Sequence, residues 1–589
     1  MADMQQGFQA VRRVRFVYAL VAVVIGVFLV RSFYVQVIKH DFYRKAALSD
    51  QLKEYQIPAT RGLIEAHSGD DIVPIVLNQK LYTVYADPTL VKKPSQSAET
   101  LAALLGGTVS DYESKLKTQH TRYVILGKKV SGEAKEALLK HKYPGIGAQE
   151  NTYRTYPNGA LASQLLGFVN NDGTGVYGIE QALNAKLAGK AGQLKAVTDI
   201  NGVPLAANSD NIETAAEPGS NVVLTVDMAM QKQLENILQK GLKDAKATTG
   251  SALIMDPNTG AIKAMAGYPT YDPGNYGNVE DPNVFNNPTV SSPIEIGSIM
   301  KVMTTAAALD SGAITANQTY NDPAHWVVDD FKITNIEEDG GPGSKSIADI
   351  LNLSLNTGAT WELMQMSKRG DTDINQKGRE TWHSYMVDHF RLGKATGIEQ
   401  GYESEGIIPD PNEGYARDLK YANTTFGQGM TATPVQMGAA FSAVLNGGTY
   451  YQPHLIDQVI SPSGKATSVK PKVERTGVVK PQVSKDIISL LEYVIAGHYI
   501  KPAFDQNKYA VGGKTGTAQI AKQDGGYKDN DFNGTYMGFV GGDDPQYVIV
   551  VTVIEPKIAG YAGSQAAQPI FASLGHMLID NFGVTPKSH

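Results

Sequence analysis

Fifteen consecutive uncharged residues, 16–30, constrain this 589-residue chain more than any other stretch. A bilayer core takes ~17–25 helical residues. Arg31 can keep its stem in the apolar layer and its head in water, which extends the run through Phe33, Tyr34, Val35, Val37 and Ile38. No small-residue cleavage site comes after it, and bulky Phe33 and Tyr34 stand where one would be sought. Residues 16–38 are therefore expected to form one uncleaved transmembrane anchor. Arg12, Arg13 and Arg15 crowd the leading segment, so residues 1–15 read as a cytoplasmic tail. Arg31, Lys39, Arg44 and Lys45 oppose that bias from the far side. On this reading everything after the anchor lies outside the cytoplasm.

The chain beyond the anchor is too long for one hydrophobic core. Residues 39–215 mix short β-like runs with polar helical stretches such as 132–141, and with loops such as Asn170-Asn171-Asp172-Gly173. Composition turns small and polar at 208–218, a linker signal. A strand signal, Asn221-Val-Val-Leu-Thr-Val226, opens the second region. There a helix over 228–245 precedes a hairpin of 251–255 and 261–265 around Asp256-Pro-Asn-Thr-Gly260. Apolar helical stretches come next at 298–309, 347–366 and 432–445, then strands near 509–520, 534–540 and 547–554, and a helix over 568–581. That order predicts an α+β fold with a central antiparallel sheet. Net charge is −6 without a basic stripe, so nucleic acid is not an expected partner. Cysteine is absent and no two of the eleven histidines stand three or four apart, so neither a catalytic metal nor another cofactor is expected.

A serine becomes a nucleophile beside a base, and a lysine serves if its pKa is brought down. Ser298-Ile-Met-Lys301 places hydroxyl and amine on one helical face, with Gly297 permitting close backbone approach. Ser354-Leu-Asn356 offers a hydroxyl for proton relay and an amide for a peptide substrate. Lys514-Thr-Gly-Thr517, after Val511-Gly-Gly513, suits a strand edge where an extended peptide lies alongside. Each pattern alone is cheap: Ser114-Lys-Leu-Lys117, Ser209-Asp-Asn211 and Arg475-Thr-Gly477 match just as well. Together they carry weight, because the three stand in one region, in order, separated by 56 and 160 residues.

On these triplets the chain resembles the class B penicillin-binding proteins, monofunctional D,D-transpeptidases, over nearly its full length. Further matching stretches are Phe33-Tyr-Val-Gln-Val-Ile38, Thr60-Arg-Gly-Leu-Ile64, Arg154-Thr-Tyr-Pro-Asn-Gly159, Gly167-Phe-Val169 and Gly178-Ile-Glu180. Phe426-Gly-Gln-Gly429, Thr433-Pro-Val-Gln436 and Asn446-Gly-Gly448 match in the catalytic region. Glu555-Pro556 and residues 563–571 are most similar to the division-specific, septal branch. Two departures are visible: Glu295-Ile-Gly297 where the family usually has Glu-Pro-Gly, and Glu65-Ala-His67 where an Asp-Arg pair is common.

The resemblance implies a non-catalytic, dimerisation-like pedestal over 39–215 and a transpeptidase domain over 216–589. It implies Ser298 as nucleophile toward the D-alanyl-D-alanine end of a stem peptide, Lys301 as base, and Ser354 as proton relay. Asn356 would hold the stem's amide. Lys514, Thr515, Gly516 and Thr517 would bind its carboxylate, with the Ser298 and Thr517 amides as oxyanion hole. β-Lactams would acylate Ser298, and a SEDS-family glycan polymerase and other division proteins would be partners. A β-lactamase shares the triplets, but the Glu-x-x-Leu-Asn stretch that positions water in one such class is missing between Ser298 and Lys514. A non-catalytic sensor is the other alternative, and here every reacting group is present.

Overall fold

The computed structural model describes residues 2–43, 52–197, 212–335, 341–497, 500–522 and 526–588. The expected Ser209-Asp-Asn211 turn and part of the 208–218 linker lie outside them. The chain divides into two units, residues 1–60 with 189–218 and residues 61–188 with 219–589.

In the first unit a helix, Ala2–Phe33, continues into one wider turn, Tyr34–Ile38. Its apolar part, Val14–Ile38, is 25 residues long and nowhere buried. At 1.5 Å per residue that is about 37 Å, enough to cross a ~30 Å hydrocarbon core. Arg31 turns its guanidinium over the Tyr34 ring, 5.6 Å from the centroid. The unit also holds an antiparallel sheet of Leu52–Ile57, Gly192–Val197 and Ile212–Thr214.

The second unit carries two large sheets. One is mixed: Asn221–Asp227 runs parallel to Ile64–Ser68 and antiparallel to Ile456–Ile460. Covered on both faces, Asn221–Asp227 has a continuous apolar centre rather than an alternating one. The expected match stretches near 61, 154 and 180 converge here on one carboxylate. Glu180 is fully buried and accepts from Arg61 Nε at 2.8 Å and Arg154 Nε at 2.7 Å. Arg154 Nη1 also donates to Gly62 O at 2.7 Å, tying three distant stretches together. Removing one partner of such a buried set strands a charge.

The other sheet is antiparallel, with strands in the order Ile262–Tyr268, Thr249–Met255, Pro545–Ile554, Tyr527–Gly541 and Ala510–Ala521. Helices Met228–Asp244 and Gln568–Asn581 pack on one face around Ile254, Val551 and Phe571. Helices Met300–Asp310, Pro434–Leu445 and Pro481–Gly497 pack on the other. Local chemistry sets these helices: Asp227 caps the first, and Thr433 with Gln436 forms a capping box behind Pro434. The stretch expected as one helical segment at 347–366 is two helices, Ile347–Asn352 and Asn356–Ser367. Ser354 breaks them by adopting φ 57°.

Candidate active site

Ser298 sits in a short 3-10 turn, Gly297–Ile299, that leads into the buried helix Met300–Asp310. The turn needs its glycine. Gly297 has φ 62°, and a Cβ there would come within 2.9–3.1 Å of the Thr517 backbone. The Ile296 position tolerates isoleucine, which turns through φ −87° and gives its carbonyl to Thr535 Oγ1 at 2.8 Å. The Gly297–Ile299 turn thus lies against both the Ala510–Ala521 strand, at Thr517, and the Tyr527–Gly541 strand, at Thr535.

Four polar atoms surround the Lys301 amine. Ser298 Oγ is 2.9 Å away, Ser354 O 2.6 Å, Ser354 Oγ 3.1 Å and Asn356 Oδ1 2.8 Å. The left-handed Ser354 presents both its carbonyl and its hydroxyl to that amine. Asn356 Nδ2 donates to Thr334 O at 3.0 Å, which fixes the amide's orientation. Lys301 is completely buried, and burial first, then the Lys514 charge, hold it well below the ordinary lysine range. Glu362 acts in the opposite sense.

Lys514 is 1% exposed and brought down to about 7 by burial. Its amine donates to Thr515 O at 3.2 Å and Thr515 Oγ1 at 3.3 Å. Strand alternation puts Thr515, Thr517 and Gln519 on one face and Lys514 and Gly516 on the other. Gly516 has no room for a side chain, since a Cβ would lie 2.2 Å from Thr535 Oγ1 and 2.7 Å from Ile296 O. Thr517 Oγ1 accepts from Gly563 N at 3.0 Å and keeps its own proton to donate.

A groove of about 780 Å³ opens over this constellation, lined by Ser298, Asn356, Thr517, Gln519, Phe426 and Phe532 among others. Of the residues singled out from sequence, Ser298, Asn356 and Thr517 face the groove. Lys301, Ser354 and Lys514 are not among its lining residues; the two lysines are buried and Ser354 is half-buried. Ser114, the decoy, is in a surface helix, Val109–Leu116, far along the chain. The polar segment after the third triplet continues the sheet as a hairpin in its described part, with Ala521 paired to Tyr527. Tyr527 OH donates to Glu295 Oε1 at 3.1 Å, so this hairpin is fastened to the segment before the nucleophile.

Two features had no sequence signal. The small hairpin His325–Val328 and Phe331–Thr334 supplies one wall of the groove. Glu362, fully buried on the Asn356–Ser367 helix, accepts from Thr305 Oγ1 at 2.9 Å and is pushed up to about 8 by burial. An acidic residue in a helix reads as surface until its neighbours' burial is known.

A serine, two buried lysines and an open strand edge behind a glycine-rich turn define a serine acyltransferase site of the penicillin-recognising kind. The transpeptidase domain of the penicillin-binding proteins matches residues 250–575, and their dimerisation domain matches residues 56–224. Stage V sporulation protein D of Bacillus subtilis is 31% identical over 98% of this chain and 87% of its own length. Peptidoglycan D,D-transpeptidase FtsI of Escherichia coli is 25% identical over 95% of this chain and 90% of its own. The crystal structure of penicillin-binding protein 2X from Streptococcus thermophilus superposes with a TM-score of 0.70 at 25% identity, covering 90% of this chain and 81% of that one. The chain belongs to the class B penicillin-binding proteins. It is a serine-type peptidoglycan D,D-transpeptidase and a β-lactam target.

Proposed function

We propose that Ser298 attacks the penultimate D-alanine carbonyl of a stem peptide, with Lys301 as its base. The surroundings of the Lys301 amine carry this reading. Ser354 O and Asn356 Oδ1 can only accept, so they take the two N–H groups of a neutral amine. The remaining lone pair is left for the Ser298 hydroxyl, 2.9 Å away. Burial and the Lys514 charge both disfavour the protonated form of the amine. As the serine attacks, its proton passes to Lys301, and Ser354 Oγ, 3.1 Å off, relays it to the departing D-alanine amine. The Ser298 and Thr517 amides then hold the oxyanion, an effect of ~3–4 kcal/mol per donor in other acyl-transfer enzymes. Thr515 and Thr517 meet the substrate carboxylate with their hydroxyls, while buried Lys514 attracts it through its field. An amine of a neighbouring stem completes the cross-link.

Residues 1–15 are the cytoplasmic tail, 16–38 the anchor, 39–215 the pedestal and 216–589 the extracytoplasmic catalytic domain of a single-pass inner-membrane protein. The likeness of Glu555-Pro556 and residues 563–571 to the septal branch supports work at division alongside a SEDS-family glycan polymerase. Lys301→Ala tests the core of this reading. Acylation by a fluorescent penicillin should fall at least ~10³-fold, the scale expected when a positioned base is lost. A defect of only a few-fold would remove Lys301 from the role of base.

A further inference from the structure

A second cleft, of about 550 Å³, lies in the same unit as the acylation groove and shares no lining residue with it. Its walls are the strands Asp71–Ala86 and Ile146–Thr155 and the turn Pro273–Asn278. Among the described residues, three cations line it, Lys128, Lys129 and Arg154, and no carboxylate does. That is a pronounced local excess in a chain of net charge −6. Arg154 and Arg61 share one buried carboxylate, Glu180, so a positive charge is left over behind the cleft wall. Arg154 Nη2 has no hydrogen-bond partner among the described residues.

The uncharged part of the lining is equally particular. Tyr276 lies flat on Phe168 with centroids 4.1 Å apart, and Tyr123 is stacked on Tyr85 at 5.2 Å. Both rings are thus held in fixed planes. Asn170 Oδ1 accepts from the Asp172 and Thr174 amides, both at 3.0 Å, which leaves its Nδ2 to donate elsewhere. Asn151 Nδ2 donates to Thr83 Oγ1 at 2.9 Å, which leaves its Oδ1 to accept. Fixed aromatic faces suit the apolar faces of sugar rings, amides suit hydroxyl and acetamido groups, and the cations suit a carboxylate. The volume is in the range of small-ligand sites.

We propose that this cleft binds the glycan backbone of an anionic amino-sugar polymer at units that carry no stem, whose lactyl carboxylates are free. The identity of that polymer rests on the peptidoglycan transpeptidase reading; the cleft itself does not. The experiment uses full-length protein in detergent, first acylated with penicillin so that the groove is closed. It is titrated with glycan strands stripped of stems by an amidase, which leaves the lactyl carboxylates free. The expected result is saturable binding that weakens about tenfold with Lys128→Glu and with Tyr123→Ala, both exposed positions. Neutral chitin oligomers should bind at least tenfold more weakly, as should free stem peptide. Absence of glycan binding, binding that Lys128→Glu leaves unaltered, or equal capture of a DNA oligomer would overturn the proposal. The penicillin adduct is scored on the same samples, so failure of the transpeptidase reading shows separately, as a missing adduct.

Discussion

At the scale of single residues the site works by controlling where protons sit. On the proposed mechanism Lys301 has to act as a free amine, and burial together with the Lys514 charge disfavours its protonated form. Lys514→Ala removes the repulsion, so the Lys301 pKa rises and its protonated fraction at neutral pH grows. The acid limb of the acylation rate should therefore move to higher pH, by roughly one unit for each ~1.4 kcal/mol of lost repulsion. Stopped-flow acylation across pH 5–9 measures it; an unmoved limb with only weaker drug capture would confine Lys514 to carboxylate binding. Glu362 makes a different prediction. Its folded pKa, about 8, lies above the ordinary 4.5, so the folded chain retains a proton that the unfolded chain releases. The residue costs stability increasingly as pH climbs from 4.5 toward 8. Glu362→Gln should raise Tm over wild type at pH 8, with the gap closing near pH 4. A gap independent of pH would mean that the carboxyl is ionised in the fold. Sequence offered the proposed reacting groups because their chemistry needs fixed residue types at short spacings. It did not carry Glu362, whose significance comes from burial by distant segments.

At the scale of elements, the site is the junction of a turn with a strand. Gly297 and Gly516 let the nucleophile turn and the Ala510–Ala521 strand approach closer than side chains allow. Gly516→Ala would push a methyl group into Thr535 Oγ1 and Ile296 O. Overpacking of this kind costs ~1–3 kcal/mol, and here it also displaces Thr517. Tm should drop and acylation should slow more than the stability loss alone explains; unchanged acylation would separate the strand from the oxyanion site. Periodicity and turn chemistry make most elements legible: those expected at 228–245, 251–255 and 568–581 lie within a few residues of those bounds. The break at Ser354 is not legible, because nothing local in Leu353-Ser-Leu355 demands a left-handed residue. It is imposed by the need to bring a carbonyl and a hydroxyl together onto Lys301. The hairpin at 325–334 escapes sequence reading for another reason, each of its strands being only four residues long and mostly exposed.

At the scale of the whole molecule, distant parts of the chain build one unit around the catalytic sheet. Residues 61–188 share a mixed sheet with segments after 219, so the region read as a pedestal is partly continuous with the catalytic core. Sequence suggests a division near 215 because composition changes there, yet composition reports solvent exposure rather than which strands pair. On the proposed mechanism one atom reacts, the Ser298 hydroxyl oxygen. Purified full-length protein should be incubated with a fluorescent penicillin and its intact mass measured. One adduct per chain is predicted, mapping after digestion to the peptide that contains Ser298, persisting for many minutes, and missing in a normally folded Ser298→Ala variant. An adduct on Ser114, or drug released as fast as it is bound, would contradict the transpeptidase mechanism.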